Sequence, residues 1–116
     1  MHELSIVHSI VETAAEAAAL ANATHVSKVY LRLGVLSGAV KDSLLFCYSF
    51  STQGTLLEGS SLEIEDLPVK IFCAPCNQVQ DLPDIQRFRC PVCGTPSGDV
   101  RQGKELEIGS IECEVP

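Results

Sequence analysis

Two Cys-x-x-Cys pairs constrain this chain more than any other feature: Cys73 with Cys76, then Cys90 with Cys93, thirteen residues apart. A two-residue spacer lets a tight turn aim two sulfurs at one ion. Two such turns supply a tetrahedral set of four thiolates, which suits Zn(II). The second turn reads Cys-Pro-Val-Cys-Gly, and Gly94 can take a left-handed conformation that frees backbone N–H groups toward the sulfurs. Asn77 holds the equivalent place in the first turn and tolerates the same conformation. Rubredoxin-like iron and a redox dithiol are the competing uses of such a cluster. Four cysteines close the coordination shell, so the expected zinc is structural and not a Lewis-acid catalyst. Cys47 and Cys113 lie outside the pattern, each on an apolar face, and read as buried inert thiols.

The surrounding chain decides how the cysteines are used. At 116 residues, 46% hydrophobic and 20% charged, it is of globular composition and of a size for one domain with a small appendage. The net charge of -7 disfavours nucleic-acid binding. That charge is uneven. From Pro68 to Lys104 there are five basic residues (Lys70, Arg87, Arg89, Arg101, Lys104) and three acids (Asp81, Asp84, Asp99), a net +2 that leaves -9 for the rest. Local cations would offset a tetrathiolate zinc centre, which carries two formal negative charges. The N-terminus lacks the basic and long apolar regions of a secretory signal, and the run from Ala14 to Ala23, broken by Glu16 and Asn22, is too short for a membrane span. A cytoplasmic location is expected, and in that reducing compartment paired cysteines read as metal ligands before disulfides.

Periodicity places these residues on elements. Leu4 to Ala21 reads as an amphipathic helix, with Ile6, Val7, Ile10, Val11, Ala14, Ala17, Ala18 and Ala21 at three- and four-residue spacing. His25 to Val35 alternates as a half-buried strand, and Gly34 to Gly38 as a loop. A second helix opens at Lys41 or Asp42, contains Leu44, Leu45, Cys47, Tyr48 and Phe50, and ends near Gln53-Gly54, with Gly54 at C′. Leu62 and Ile64 mark a short strand, and Val69 to Phe72 leads into the first cysteine pair. Cys73 to Gly94 is rich in turns. Glu105 to Glu114 is a last strand whose apolar parity changes at Gly109-Ser110, which predicts a β-bulge or bend. The expected fold is α/β (α+β): two helices on one face of a small three-stranded mixed sheet, with an inserted zinc-ribbon module. The domains would be 1–69 with 101–116, and 70–100 for zinc.

His2 suggests a second metal site. A free α-amine, the following deprotonated amide nitrogen and an imidazole at position two can close chelate rings on one ion, and planar nitrogen coordination suits Ni(II) or Cu(II). The bulk of His2 hinders removal of Met1. Glu3 can add a backbone nitrogen, or its carboxylate can orient the imidazole. The plainer reading is a solvated terminal histidine. His8 and His25 read as a helix-surface and a loop histidine, neither with a partner at ligand spacing.

Taken together, Met1-His2-Glu3-Leu4-Ser5-Ile6, Gly34-Val35-Leu36-Ser37-Gly38, Phe50 with Gly54-Thr55, Glu58-Gly59, Leu62-Glu63-Ile64, the two cysteine pairs, Gly103-Lys104-Glu105-Leu106 and Ser110-Ile111-Glu112 resemble the HypA/HybF nickel metallochaperones of NiFe-hydrogenase maturation. The resemblance runs from Met1 to about Val115. It implies a nickel site formed by the Met1 amine, His2 and adjacent backbone, with Glu3 close by, and a structural zinc domain. Some members bring an acidic residue near the start of the second helix toward nickel, and Asp42 is the candidate here. Some also carry His beside the zinc cysteines. Asn77 and Gly94 stand in those places, so a pH-linked exchange of His for Cys is not expected.

The expected function is therefore a carrier of Ni(II), not an enzyme, with zinc as its structural ion. The resemblance implies the maturation GTPase HypB and the hydrogenase large-subunit precursor as partners, and a monomer or weak homodimer. No nucleic-acid or membrane partner is expected. The alternatives are a zinc-ribbon module for protein docking or nucleic-acid binding, and a dithiol oxidoreductase. No Ser-His-Asp set, phosphate loop or carboxylate pair points to another enzyme.

Overall fold

A computed structural model describes residues 3–116. It divides into two compact units. The helical unit comprises the described residues up to Arg32, Gly38–Glu65 and Glu107–Pro116; the cysteine unit comprises Leu33–Ser37 and Asp66–Leu106. Among the described residues no helix is long and apolar enough to cross a membrane.

In the helical unit, α1 spans Glu3–Leu20 and buries Val7, Ile10, Val11, Ala14 and Ala18, the three-and-four spacing read from the sequence. Ala17 and Ala21 fall just outside that stripe and are exposed. Strand β1, His25–Gly34, buries Val29, Leu31 and Leu33, and also Val26, whose N–H donates to Leu56 O at 2.9 Å. Val35 leaves the strand for a single 3-10 turn, Val35–Ser37, and is exposed. His25 is the first residue of β1, not a loop residue, with Nε2 2.8 Å from Glu58 O.

Helix α2, Lys41–Ser51, packs against α1 and buries Leu44 and Tyr48. Thr52 is its C-cap, its N–H donating to Tyr48 O; Gly54, at φ +76°, therefore lies one residue beyond C′. Ser60 donates its hydroxyl proton to Leu57 O, which leaves Tyr48 as donor to Ser60 Oγ. Every buried side-chain polar atom among the described residues has a partner.

Strand β2 spans Ser61–Leu67 and the last strand, β6, Leu106–Glu114; the sheet order is β2-β1-β6. The β1-α2-β2 path is a crossover, and β6 returns beside β1, giving the small mixed sheet. Tyr30 and Arg32 share one face of β1, and their partners are Glu112 (Oε1, 2.6 Å) and Glu107 (Oε1, 2.8 Å). Those glutamates have opposite parity on β6, so the strand changes face once between them, at the expected Gly109-Ser110 position.

The cysteine unit is a three-stranded antiparallel sheet in the order β4-β3-β5, with β3 Lys70–Cys73, β4 Gln78–Asp81 and β5 Val100–Gln102. Its core is Val69, Ile71 and Leu82, with Leu36, Phe88 and Val100 packed against it. So small a core makes the unit dependent on a cross-link. The turn after β1 is fixed by backbone: Gly34 N–H donates to Glu105 O at 2.8 Å and Leu36 N–H to Gly103 O at 2.7 Å. A Cβ on Gly34 would overlap the Gly103 carbonyl, and Gly103 itself has φ +128°. Gly34→Ala must therefore separate two hydrogen-bonded backbones. The expected loss is about 3 kcal/mol, read as a lower Tm in a thermal melt; an unchanged Tm would contradict this packing.

Candidate metal centre

The four cysteines reach one point from two turns. Cys73 ends β3 and Cys76 closes the turn into β4, with Cys73 paired to Gln78 across the hairpin. Asn77 at φ 52° makes that turn possible. Cys90 and Cys93 bracket the second turn, closed by Gly94 N–H to Cys90 O and Cys90 N–H to Thr95 O, both 2.9 Å, with Gly94 at φ 77°. Both left-handed positions are those expected from the sequence.

The sulfurs of Cys73 and Cys93 are 3.5 Å apart, those of Cys76 and Cys90 are 3.9 Å apart, and all four lie within 4.8 Å of one another. Zinc–sulfur bonds of about 2.3 Å set tetrahedral S···S edges of about 3.8 Å, so the spacing fits one ion. All six cysteines are free thiols. Cys73 and Cys90 are buried and Cys93 is exposed, so the cluster has a buried side and a solvent side. Such a closed S4 set would hold zinc and offer no open coordination position.

The sulfurs are met by an N–H and a hydroxyl group. Val92 N–H donates to Cys90 Sγ at 3.4 Å, and the Cys93 thiol donates to Thr95 Oγ1 at 3.2 Å, a bond the hydroxyl reverses when the sulfur is a thiolate. Two of the segment's cations are engaged elsewhere: Arg101 holds Asp99 through two bonds of 2.8 and 2.9 Å and stacks over Phe72 at 4.6 Å, and Lys70 faces Asp81 at 3.8 Å. Thr95 was not among the residues singled out from the sequence; its place directly after the Cys-Pro-Val-Cys-Gly turn was the available signal.

These contacts set three of the thiols apart before any metal arrives. The Thr95 hydroxyl, followed by its backbone N–H, pulls Cys93 down to about 6. Cys90 is lowered, first by the Cys93 N–H. Cys76 is pushed up to about 12, first by Cys93 and then by Cys73. The proton is therefore held most loosely at Cys93 and most tightly at Cys76. Zinc capture must expel that proton, so affinity rises with pH and falls as the solution is acidified. Removing the hydroxyl raises the Cys93 thiol and weakens capture. In a chelator-competition titration, Thr95→Val should bind zinc about tenfold more weakly than native protein, the gap closing as pH rises. Equal affinity at pH 6 would exclude this role for Thr95.

The remaining sequence candidates are distributed as follows. Met1 and His2 lie outside the described residues. Glu3 opens α1 and is half-buried; Asp42 sits in the first turn of α2, exposed. Among the described residues the four cysteines form the one group of three or more metal-ligating side chains. His8 is exposed on α1. Cys47 and Cys113 are half-buried, not fully buried as expected: each stands at the margin of its apolar face.

Comparison with known proteins identifies the setting of this centre. Residues 1–113 match the family described as hydrogenase/urease nickel incorporation, metallochaperone, hypA. The chain is 50% identical over 114 residues to the hydrogenase maturation factor HypA of Roseiflexus sp. (strain RS-1), covering 98% of this chain and 93% of that one. It is 47% identical over 112 residues to that of Chloroflexus aggregans, covering 97% and 98%. The solution structure of the Ni metallochaperone HypA from Helicobacter pylori has the same fold, with a TM-score of 0.71 and 24% identity over the whole of both chains.

Proposed function

Since the chain belongs to the HypA family of hydrogenase/urease nickel-incorporation metallochaperones, a family of maturation factors and not of catalysts, we propose that it carries Ni(II) at its N-terminus and delivers it during NiFe-hydrogenase maturation. The supporting observation is that the family match runs over residues 1–113 and so includes Met1-His2-Glu3. The Met1 amine, the His2 amide and imidazole, and Glu3 would hold nickel, with Asp42 approaching from α2. Such a nitrogen chelate is weakened when its imidazole or amide is protonated, and an exposed one favours handover by ligand exchange.

Cys73, Cys76, Cys90 and Cys93 would hold a resident zinc that shapes the cysteine unit and takes no part in handover. Nickel thus belongs with residues 1–69 and 101–116 and zinc with residues 70–100. The compact unit that supports the zinc ligands is broader, reaching Leu33–Ser37 and Asp66–Leu106. The exchange partners are the GTPase HypB and the hydrogenase large-subunit precursor, met in the cytoplasm by a monomer or weak homodimer.

Complementation tests the reading. In a host lacking its own factor, the native chain should restore hydrogenase activity. His2→Ala should not, at equal protein level and equal zinc content, and added nickel should rescue it in part. Full activity from His2→Ala in nickel-limited medium would reject the carrier role.

A further inference from the structure

The cysteine cluster is not covered evenly. Of the six cysteines Cys93 alone is exposed, while Cys73 and Cys90 are buried. Its neighbours in the turn, Pro91, Val92 and Gly94, are exposed as well, and none of them carries a charge. A small neutral molecule therefore reaches that side of the cluster unopposed. Thiol oxidation follows exposure, and a thiol that is oxidised reversibly stands beside a second thiol able to resolve it.

The sulfur contacts supply that second thiol. Cys73 Sγ lies 3.5 Å from Cys93 Sγ, and Cys76 Sγ lies 3.9 Å from Cys90 Sγ. Both contacts run from one turn to the other, and together they use each sulfur once. The sequence alone suggests the opposite pairing, within each Cys-x-x-Cys turn. Cys47 and Cys113 are half-buried and belong to the helical unit.

We propose that the cluster is also a redox switch set by hydrogen peroxide: Cys93 is the sulfur attacked, Cys73 resolves it, and formation of the Cys73–Cys93 disulfide gives up the zinc. The Cys93 thiolate attacks one peroxide oxygen; the S–O bond forms as the O–O bond breaks, and hydroxide leaves. The Cys73 thiolate then attacks the sulfenic sulfur, which forms the S–S bond and releases a second hydroxide. Two electrons pass from the sulfur pair to the peroxide, and two thiolates are lost to the site. Cys76 and Cys90 are half of a tetrahedral set and do not hold zinc as the four did. The disulfide joins the same two turns that the metal would join, so the path of the chain is kept. A dithiol reductant reverses the change by displacing the bond and leaving as a disulfide itself. The inference rests on the structural-zinc reading and goes beyond it by giving the same four residues a second state.

The test uses full-length, zinc-loaded protein carrying Cys47→Ser and Cys113→Ser, with native protein beside it. One equivalent of hydrogen peroxide should release the zinc to a metallochromic dye, and the mass of the chain should fall by two hydrogens. Trypsin cuts after Lys70, Arg87, Arg89 and Arg101, so Cys73 and Cys76 fall on one peptide and Cys90 and Cys93 on another. A disulfide between the turns joins the two peptides; one within a turn leaves them separate. The joined pair is expected, with fragmentation placing the bond at Cys73 and Cys93. Dimedone added with the peroxide should label Cys93. A dithiol with fresh zinc should restore the metal content and the original peptide map. Separate peptides, labelling centred on another cysteine, or zinc and free thiols retained under excess peroxide would each overturn the proposal. Zinc content before peroxide separates the two readings. A chain that never held zinc fails the structural-zinc reading, whereas one that holds zinc and forms no Cys73–Cys93 bond fails the switch alone.

Discussion

Replacing one of the four clustered cysteines, as in Cys76→Ser, should abolish tight zinc binding and unfold the cysteine unit while α1 and α2 persist. The argument starts from the size of the core. Val69, Ile71 and Leu82 form its buried apolar cluster, and Leu36, Phe88 and Val100, packed against it, are only partly covered. The strands are short: four residues each in β3 and β4, and three in β5. Hydrophobic burial of that extent cannot order some forty residues of loop and strand. A structural zinc contributes about 10–16 kcal/mol of apparent binding free energy that becomes folding free energy when the site forms only in the folded chain. A serine hydroxyl at position 76 remains protonated and does not replace a thiolate.

Two measurements check this. Far-ultraviolet circular dichroism should keep its helical signal, since the helices belong to the other unit. Amide protection over Lys70–Cys73 and Gln78–Asp81 should disappear. A strong chelator should do the same to native protein, and added zinc should restore it. Protection retained without metal would mean that the apolar cluster suffices.

The second large effect concerns the other metal. Acetylating the α-amine of Met1 should lower nickel affinity by more than about 100-fold, beyond the 10–100-fold typical of outer-shell changes. Acetylation converts a basic amine, free to donate its lone pair, into an amide and supplies no new amine in its place. Zinc content should not change. Isothermal titration of acetylated and native chains at equal zinc loading makes the comparison, and equal affinity would mean that the amine is not a ligand.

How much of this was legible in the sequence depended on how strong a pattern each element needed. α1 was legible because the core demands one wide stripe, and Val7 to Ala18 supply it. The change of face in β6 was legible because Ile108 and Ile111 cannot face the same side of an unbroken strand. The cysteine turns were legible down to Asn77 and Gly94, because a two-residue spacer leaves few backbone solutions. Strands β4 and β5 were not read as strands. Gln78–Asp81 is polar on both faces and Val100–Gln102 is three residues long, so their pairing with β3 comes from tertiary context and not from periodicity.

Gly34 fell where the strand and loop readings overlap, and it ends β1. Its role is to let the Gly103 backbone approach, and no local pattern reports a contact 69 positions away. Thr95 was missed for a related reason: a hydroxyl beside a sulfur is set by turn geometry, and the turn alone looks complete without it. In α2, the alternation of buried Leu44 and Tyr48 with exposed Phe46 and Phe50 was invisible while all were counted simply as apolar. Exposure became informative only once the fold supplied an inside.

The most direct test of the central claim is a nickel titration of untagged, zinc-loaded native protein beside His2→Ala, followed by the visible d–d band with calorimetry alongside. Binding of one equivalent by the native chain, lost in His2→Ala with zinc retained, is the predicted result. Equal nickel binding by the two proteins would contradict the account and move the cargo site away from the N-terminus.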